Sequence, residues 1–222
     1  MDRLGAADWN EFVLQWLTIE KDDLGLSTAY RVRLIDNADR NNGPDNTHRL
    51  ILLLCRKPWI FDVFCRAPDA EVRWVYIQET DLPRLYIVPS NDWYLDTGRS
   101  FLLSGLPDNL HADRSVDDGH GPWYPRHKER IGELQNHLAD YDGESTEHAL
   151  LLIAPREAGP YTIVDGNHRA GALYMLRNRP LPWRAMLAVG PGITDSRWYA
   201  NSPMAHAVMQ SMEMEAKAGR LR

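Results

Sequence analysis

Residues 161–172, Tyr-Thr-Ile-Val-Asp-Gly-Asn-His-Arg-Ala-Gly-Ala, constrain the fold more than any other segment, because a β-branched run passes into a helical pattern with only Asp165-Gly166 between them. A strand that turns directly into a helix implies α/β layering. Glycine at the turn lets the backbone approach a ligand closely, and the first turn of the following helix presents N–H groups and a positive dipole end. His168 and Arg169 add side-chain donors at the same place, the arginine as a planar fork matched to phosphate oxygens. The segment therefore reads as an anion-binding turn.

Charge supports that reading. The 222 residues carry Lys+Arg 25 against Asp+Glu 31, a net −6, which argues against a surface built to hold a long nucleic acid. Between residues 165 and 184, however, Arg169, Arg177, Arg179 and Arg184 face Asp165 alone, a local +3 that leaves −9 for the rest. A cationic island on an acidic chain suits a small phosphorylated ligand better than a polyanion.

The flanking elements follow from periodicity. Asp8 with Glu11 forms a capping-box pattern, and Trp9, Phe12, Val13, Trp16 and Leu17 predict an amphipathic helix ending near Glu20. Residues 36–47 read as a loop. Short apolar runs at 50–55, 60–65, 72–77 and 85–88, separated by Pro-containing breaks, predict a mostly antiparallel sheet. Trp59, Trp74 and Trp93 fall in this half and read as core, with the lining of a ligand cleft as the alternative. Residues 98–125 show little periodicity and hold an acidic piece at 113–120, a candidate lid. His127, Ile131, Leu134 and Leu138 share one helix face. Strands are expected at 149–154, 161–164 and 183–189, a turn at 157–160, and a helix from about His168 to Arg177. Ser202 and Pro203 open a terminal helix with an apolar stripe of Ala205, Val208, Met209 and Met212. Met204, Met209, Met212 and Met214 read as ordinary packing. His111, His120 and His127 read as surface or capping residues, while Trp198 and Tyr199 are candidates to stack on a base. Cys55 and Cys65 read as buried reduced thiols. With no signal-peptide pattern and no run approaching about 20 apolar residues, the expected location is cytoplasmic and the expected association with membranes is none.

Residues 165–172 resemble the phosphate-binding box of the ParB/sulfiredoxin superfamily, with Gly166, His168, Arg169 and Ala172 matching position by position. Residues 124–134 are similar to that family's Pro-Arg element and its following helix, and the order helix, strand, turn, strand, box, helix, strand is also the family's. The resemblance covers residues 85 or 123 to 189; residues 1–80 match nothing. It implies an α/β (α+β) fold with a ParB/sulfiredoxin-like region at 91–222, preceded at 1–90 by a helix and mostly antiparallel strands. The family includes CTP-dependent partition clamps, sulfiredoxins, nucleases and free-serine kinases, and fold alone does not choose among them. Asn167 stands where sulfiredoxins need a cysteine. Only 33 residues follow the last expected strand, so no DNA-binding region is expected there. The acidic base of the serine kinases has no clear counterpart next to Trp123-Tyr124, although Asp117 and Asp118 lie just upstream. The Gly166-Asn167-x-Arg169 pattern also echoes Fic-type nucleotide transferases, whose upstream histidine has no counterpart here.

The resemblance and the turn together lead to one expected chemistry. Gly166, Asn167, His168, Arg169 and Arg126 would hold a nucleotide (ATP, ADP or CTP). His168, Arg169, Asp165, Asp117 and Asp118 would serve catalysis, and Asp165 would ligate Mg²⁺. The expected function is phosphoryl transfer or nucleotide hydrolysis on a small molecule. A non-catalytic nucleotide-sensing module is the alternative, and a nuclease a weaker one.

Overall fold

The computed structural model describes residues 1–110, 124–138, 145–176 and 181–218. In chain order the elements are β1 (Asp2–Ala7), α1 (Trp9–Ile19), α2 (Thr28–Arg31) running into a π-helical turn (Val32–Asp36), α3 (Gly43–Arg56) and α4 (Phe61–Arg66). There follow β2 (Glu71–Ile77), β3 (Leu85–Ile87), α5 (Asn91–Asp96), α6 (Leu106–Leu110) and α7 (Tyr124–His137). The last part holds β4 (Leu150–Ala154), β5 (Tyr161–Asp165), α8 (Asn167–Met175), β6 (Trp183–Val189) and α9 (Pro203–Lys217).

The fold is mixed α/β around one six-stranded sheet of order β1-β2-β6-β4-β5-β3. The sheet draws strands from both halves of the chain, since β2 pairs with β6 along its full length. β3 runs parallel to β5 and β4 parallel to β6, so the sheet is mixed where a mostly antiparallel one was expected. Every residue of β4 is buried, as a central strand covered on both faces requires. Its side chains alternate between two cores. Leu150, Leu152 and Ala154 join Leu173 of α8 and Ile131 of α7, while Leu151 and Ile153 join Phe12 and Trp16 of α1 and Leu53 of α3.

The helix expected after Asp8 is α1, with Asp8 Oδ1 accepting from the Glu11 N–H at 2.8 Å. Glu11 turns its carboxylate to the Trp74 indole N–H (2.9 Å) and to Arg40 (2.7 Å), tying the helix to β2 and to the segment before α3.

Four expectations are corrected. The runs at 50–55 and 60–65 are helical: Asn42 caps α3 by accepting from the Asp45 N–H, Pro44 lies in its first turn, and the run is rich in leucine rather than β-branched residues. The helix takes in residues 43–47 of the expected loop as well. Cys55 and Cys65 sit on the outer faces of α3 and α4 and are exposed, not buried. Residues 101–110 belong to the core rather than to a lid, with Phe101, Leu103, Leu106 and Leu110 buried; residues 111–123, including the acidic piece, lie outside the described residues. On α9, which starts as expected with Ser202 Oγ accepting from the Met204 N–H, Ala205 and Met209 are buried but Val208 is exposed.

Arg49 locks α3 to the preceding turn. Its side chain is buried, its Nε–H donates to the Leu34 carbonyl at 2.7 Å and Nη2 to the Asp39 carbonyl at 3.1 Å, and it also bonds Asn46. Arg49→Met fills similar volume but strands two carbonyls, so it is expected to lower unfolding free energy by about 2–4 kcal/mol, measured by chemical denaturation. A change under about 0.5 kcal/mol would show that the lock contributes little.

Among the described residues no helix is long and apolar enough to cross a membrane.

Candidate functional site

The strand–turn–helix segment folds as its sequence suggests. β5 ends at Asp165, Gly166 adopts φ 86° and ψ 22°, and α8 begins at Asn167. Glycine is needed there twice over. The left-handed backbone disfavours a side chain, and a Cβ would lie 2.8 Å from both Arg169 Nη2 and Leu150 Cδ2. Ala170, Gly171, Ala172 and Leu173 bury the inner face of α8, and Gly171 allows close contact: a Cβ there would come within 3.1 Å of Ile131 on α7. The turn is thus held between two layers, with the first turn of α8 open to one side.

That side is a cleft of about 510 Å³ lined by all of Asp165, Gly166, Asn167, His168 and Arg169. Val88 and Ser90, just after β3, also line it. The cleft therefore lies beyond the carboxyl ends of the parallel pair β3 and β5, the position where open α/β sheets usually place ligands. Its volume is in the range of small-molecule sites.

Charges in the cleft come mostly as pairs. Arg169 Nη2 donates to Asp165 Oδ2 at 2.9 Å across the turn, both side chains being largely buried, and Arg169 Nε is buried without a hydrogen-bond partner. Lys57 pairs with Glu20 at 2.7 Å. Arg130, nearly two turns into α7, pairs with Glu133 at 3.0 Å, and Asp23 completes the charged lining.

Burial pushes the Asp165 carboxyl above its ordinary value of 3.8, with Glu20 adding to the rise while Arg169 and Lys57 oppose it. His148, just before β4, is pushed below its ordinary value first by burial and then by the Arg169 charge.

The Asp165 shift has a stability consequence. With the folded value raised above the unfolded one, the group's favourable contribution is complete below pH 3.8 and is lost as pH rises through the folded value. Asp165→Asn is therefore expected to flatten the part of the stability–pH curve just above 3.8, as read from denaturation midpoints at several pH values. An unchanged curve would contradict the placement of this carboxyl in a desolvated site.

A second cluster borders the turn. The His127 ring stacks on Trp93 with centroids 4.0 Å apart and planes 16° from parallel, and its Nδ1 meets Asp96 Oδ2 at 2.7 Å in buried surroundings. The His168 ring lies 4.9 Å from both Trp93 and His127. A carboxylate bonded to Nδ1 fixes the orientation of an imidazole. Asp96 and His127 thus form a rigid backing for His168. The expectation of a surface or capping role for His127 is corrected: it is buried, with Trp93 stacked on its ring and Asp96 bonded to its Nδ1.

Of the residues expected at the site, Asp165, Gly166, Asn167, His168 and Arg169 are together. The Asn167 side-chain oxygen accepts from the Val88 N–H at 3.4 Å, linking the turn to the end of β3. Arg126 lies in the first turn of α7, but its side chain is outside the described residues, as are Asp117, Asp118, His111, His120, Arg177 and Arg179. Sequence reasoning missed Lys57, Glu20, Asp23 and Arg130. Arg130 is four residues after Arg126, so helical spacing from the Pro-Arg element would have pointed to it. Trp59 and Trp93 line the cleft and Trp74 does not; Trp198 lines it, whereas Tyr199 is buried in the core.

Among the described residues no group of three or more His, Cys, Asp or Glu side chains converges, and Asp165 commits an oxygen to Arg169. Mg²⁺ carried in by a nucleotide's phosphates would need few ligands from the protein, its usual mode in nucleotide sites. No family model matches the chain, no curated protein matches it, and no solved structure matches it.

Proposed function

We propose that the chain binds a nucleotide or another phosphorylated small molecule at the Gly166–Arg169 turn and acts in phosphoryl transfer or nucleotide hydrolysis. The observation that carries this reading is the glycine-hinged start of α8 opening into a cleft at the strand ends, with Arg169 at its edge. Phosphate oxygens would meet the first-turn N–H groups, the positive end of the helix and the Arg169 fork, while Arg130 and Lys57 supply further positive charge. In this role Asp165 orients Arg169. Mg²⁺, when it arrives with the phosphates, would neutralise part of their charge. His168, backed by the Asp96–His127 pair, is the group placed to contact a phosphoryl oxygen or hold a proton.

The ParB/sulfiredoxin resemblance supports the same reading through the matched box and through the order α7, β4, turn, β5, box, α8, β6. The acceptor chemistry stays with the small-molecule class, since the net charge of −6 disfavours a nucleic acid.

One observation favours a second reading, a module that senses nucleotide without turnover. Of the three carboxylates that line the cleft among the described residues, Glu20 and Asp165 are both held in ion pairs. A single experiment separates the two. Purified protein is titrated with ATP, ADP, CTP and GTP, with and without Mg²⁺, while phosphate release is followed. Binding with turnover supports the enzyme, binding alone supports the sensor, and no binding of any nucleotide rejects both.

A further inference from the structure

Resting on the nucleotide reading above, we propose that Trp59, Trp198 and Asp23 form a subsite for the base of the nucleotide, selecting a base whose edge carries an N–H donor. Trp59 and Trp198 are half-buried, line the cleft, and lie against one another with centroids 4.8 Å apart and planes inclined by 43°. Both side chains touch the two hydrophobic cores, so the pair sits at the seam where the sheet ends. Trp16 braces Trp59 from behind at 5.8 Å, and the Trp198 backbone N–H donates to Ser196 Oγ at 3.2 Å. This is a rigid aromatic wall with polar surface next to it, whereas a purely structural tryptophan pair would be closed off within one core.

The wall and the phosphate turn share one cleft and are chemically unlike. At the turn stand the open helix start and the Arg169–Asp165 pair; the indoles of Trp59 and Trp198 line the same cleft together with Glu20 and Asp23. Glu20 is occupied by Lys57 at 2.7 Å. The Asp23 backbone carbonyl accepts from Arg56 at 2.6 Å, and the exposed residue lines the cleft, where a carboxylate can accept from an N–H. A π-face above an indole and an N–H toward a carboxylate are the two features of a nucleobase, and phosphates one sugar away would reach the start of α8. A sugar phosphate or inorganic phosphate would use only one end of the cleft.

The test compares ATP, purine riboside triphosphate (ATP without its exocyclic amino group) and inorganic tripolyphosphate by calorimetry, on the unaltered full chain and on Trp198→Ala and Asp23→Ala. ATP is expected to bind about tenfold or more tighter than tripolyphosphate, in line with the contribution of one base–aromatic stack. Trp198→Ala is expected to erase most of that difference while leaving tripolyphosphate affinity within about twofold. Asp23→Ala, at an exposed position where folding is not at stake, is expected to remove the preference of ATP over purine riboside triphosphate. Equal binding of all three probes, or a preference for ATP unmoved by both variants, overturns the subsite while the phosphate site stands. Failure of tripolyphosphate and nucleotides alike overturns the phosphate reading itself.

Discussion

Replacing Arg169 by alanine is expected to weaken nucleotide or tripolyphosphate binding by about a hundredfold or more, the effect of losing a charge-assisted, fork-shaped donor from a desolvated site. The same change harms folding, because Asp165 loses the cation 2.9 Å away and is left as a carboxyl already disfavoured by burial. Breaking such a pair costs about 3 kcal/mol in general, and somewhat less here because the edge of the pair is open to the cleft. The two effects separate in the double variant Asp165→Asn with Arg169→Gln, which keeps a neutral hydrogen-bonding pair across the turn. Stability is expected to return most of the way in that variant, while binding stays lost. Recovery of binding would mean that Arg169 acts only by holding Asp165.

Gly166→Val is the second large effect. Its left-handed backbone disfavours a β-branched residue by about 1–3 kcal/mol, and a Cβ would stand 2.8 Å from the Arg169 guanidinium and from Leu150. Leu150 is fully buried on a central strand and cannot yield, so Arg169 must move. Destabilisation of about 3–5 kcal/mol is expected, together with loss of anion binding. Gly166→Ala gives a milder test of the same point: it is expected to fold and still bind poorly, since the fork is displaced. Normal affinity in the alanine variant would show that the arginine needs no such seating.

The part of the site that could be read from sequence is the part made locally. Residues 161–172 carry their own punctuation, a β-branched run, a glycine and a helix pattern, and α7, β4 and β6 lie close to where periodicity puts them. The N-terminal half misled for an identifiable reason. Apolar runs of six residues fit a strand or one side of a short helix equally well, and the deciding signals, Asn42 as cap and Pro44 in the first turn, lie in what reads as a loop. Misplacing α3 hides Lys57 at its end, and with it one wall of the cleft.

Long-range partners were out of reach for a different reason. Asp96, at the end of α5, and His127, near the start of α7, are 31 residues apart in the chain and meet only in the folded protein. Glu20 and Asp165 influence each other across the sheet end, with α1 on one side and β5 on the other. Spacing along a chain carries no trace of such pairings. The expectation of buried thiols at Cys55 and Cys65 failed on similar grounds, since exposure on a helix face follows from which face packs and not from the apolar character of the neighbours.

The most direct measurement is an amide NMR titration of the unaltered protein with tripolyphosphate. The account predicts that the largest and saturable shifts fall on the backbone N–H groups of Gly166, Asn167, His168 and Arg169, with smaller changes at Lys57 and Arg130. Shifts absent from that turn, or concentrated elsewhere on the molecule, would contradict it.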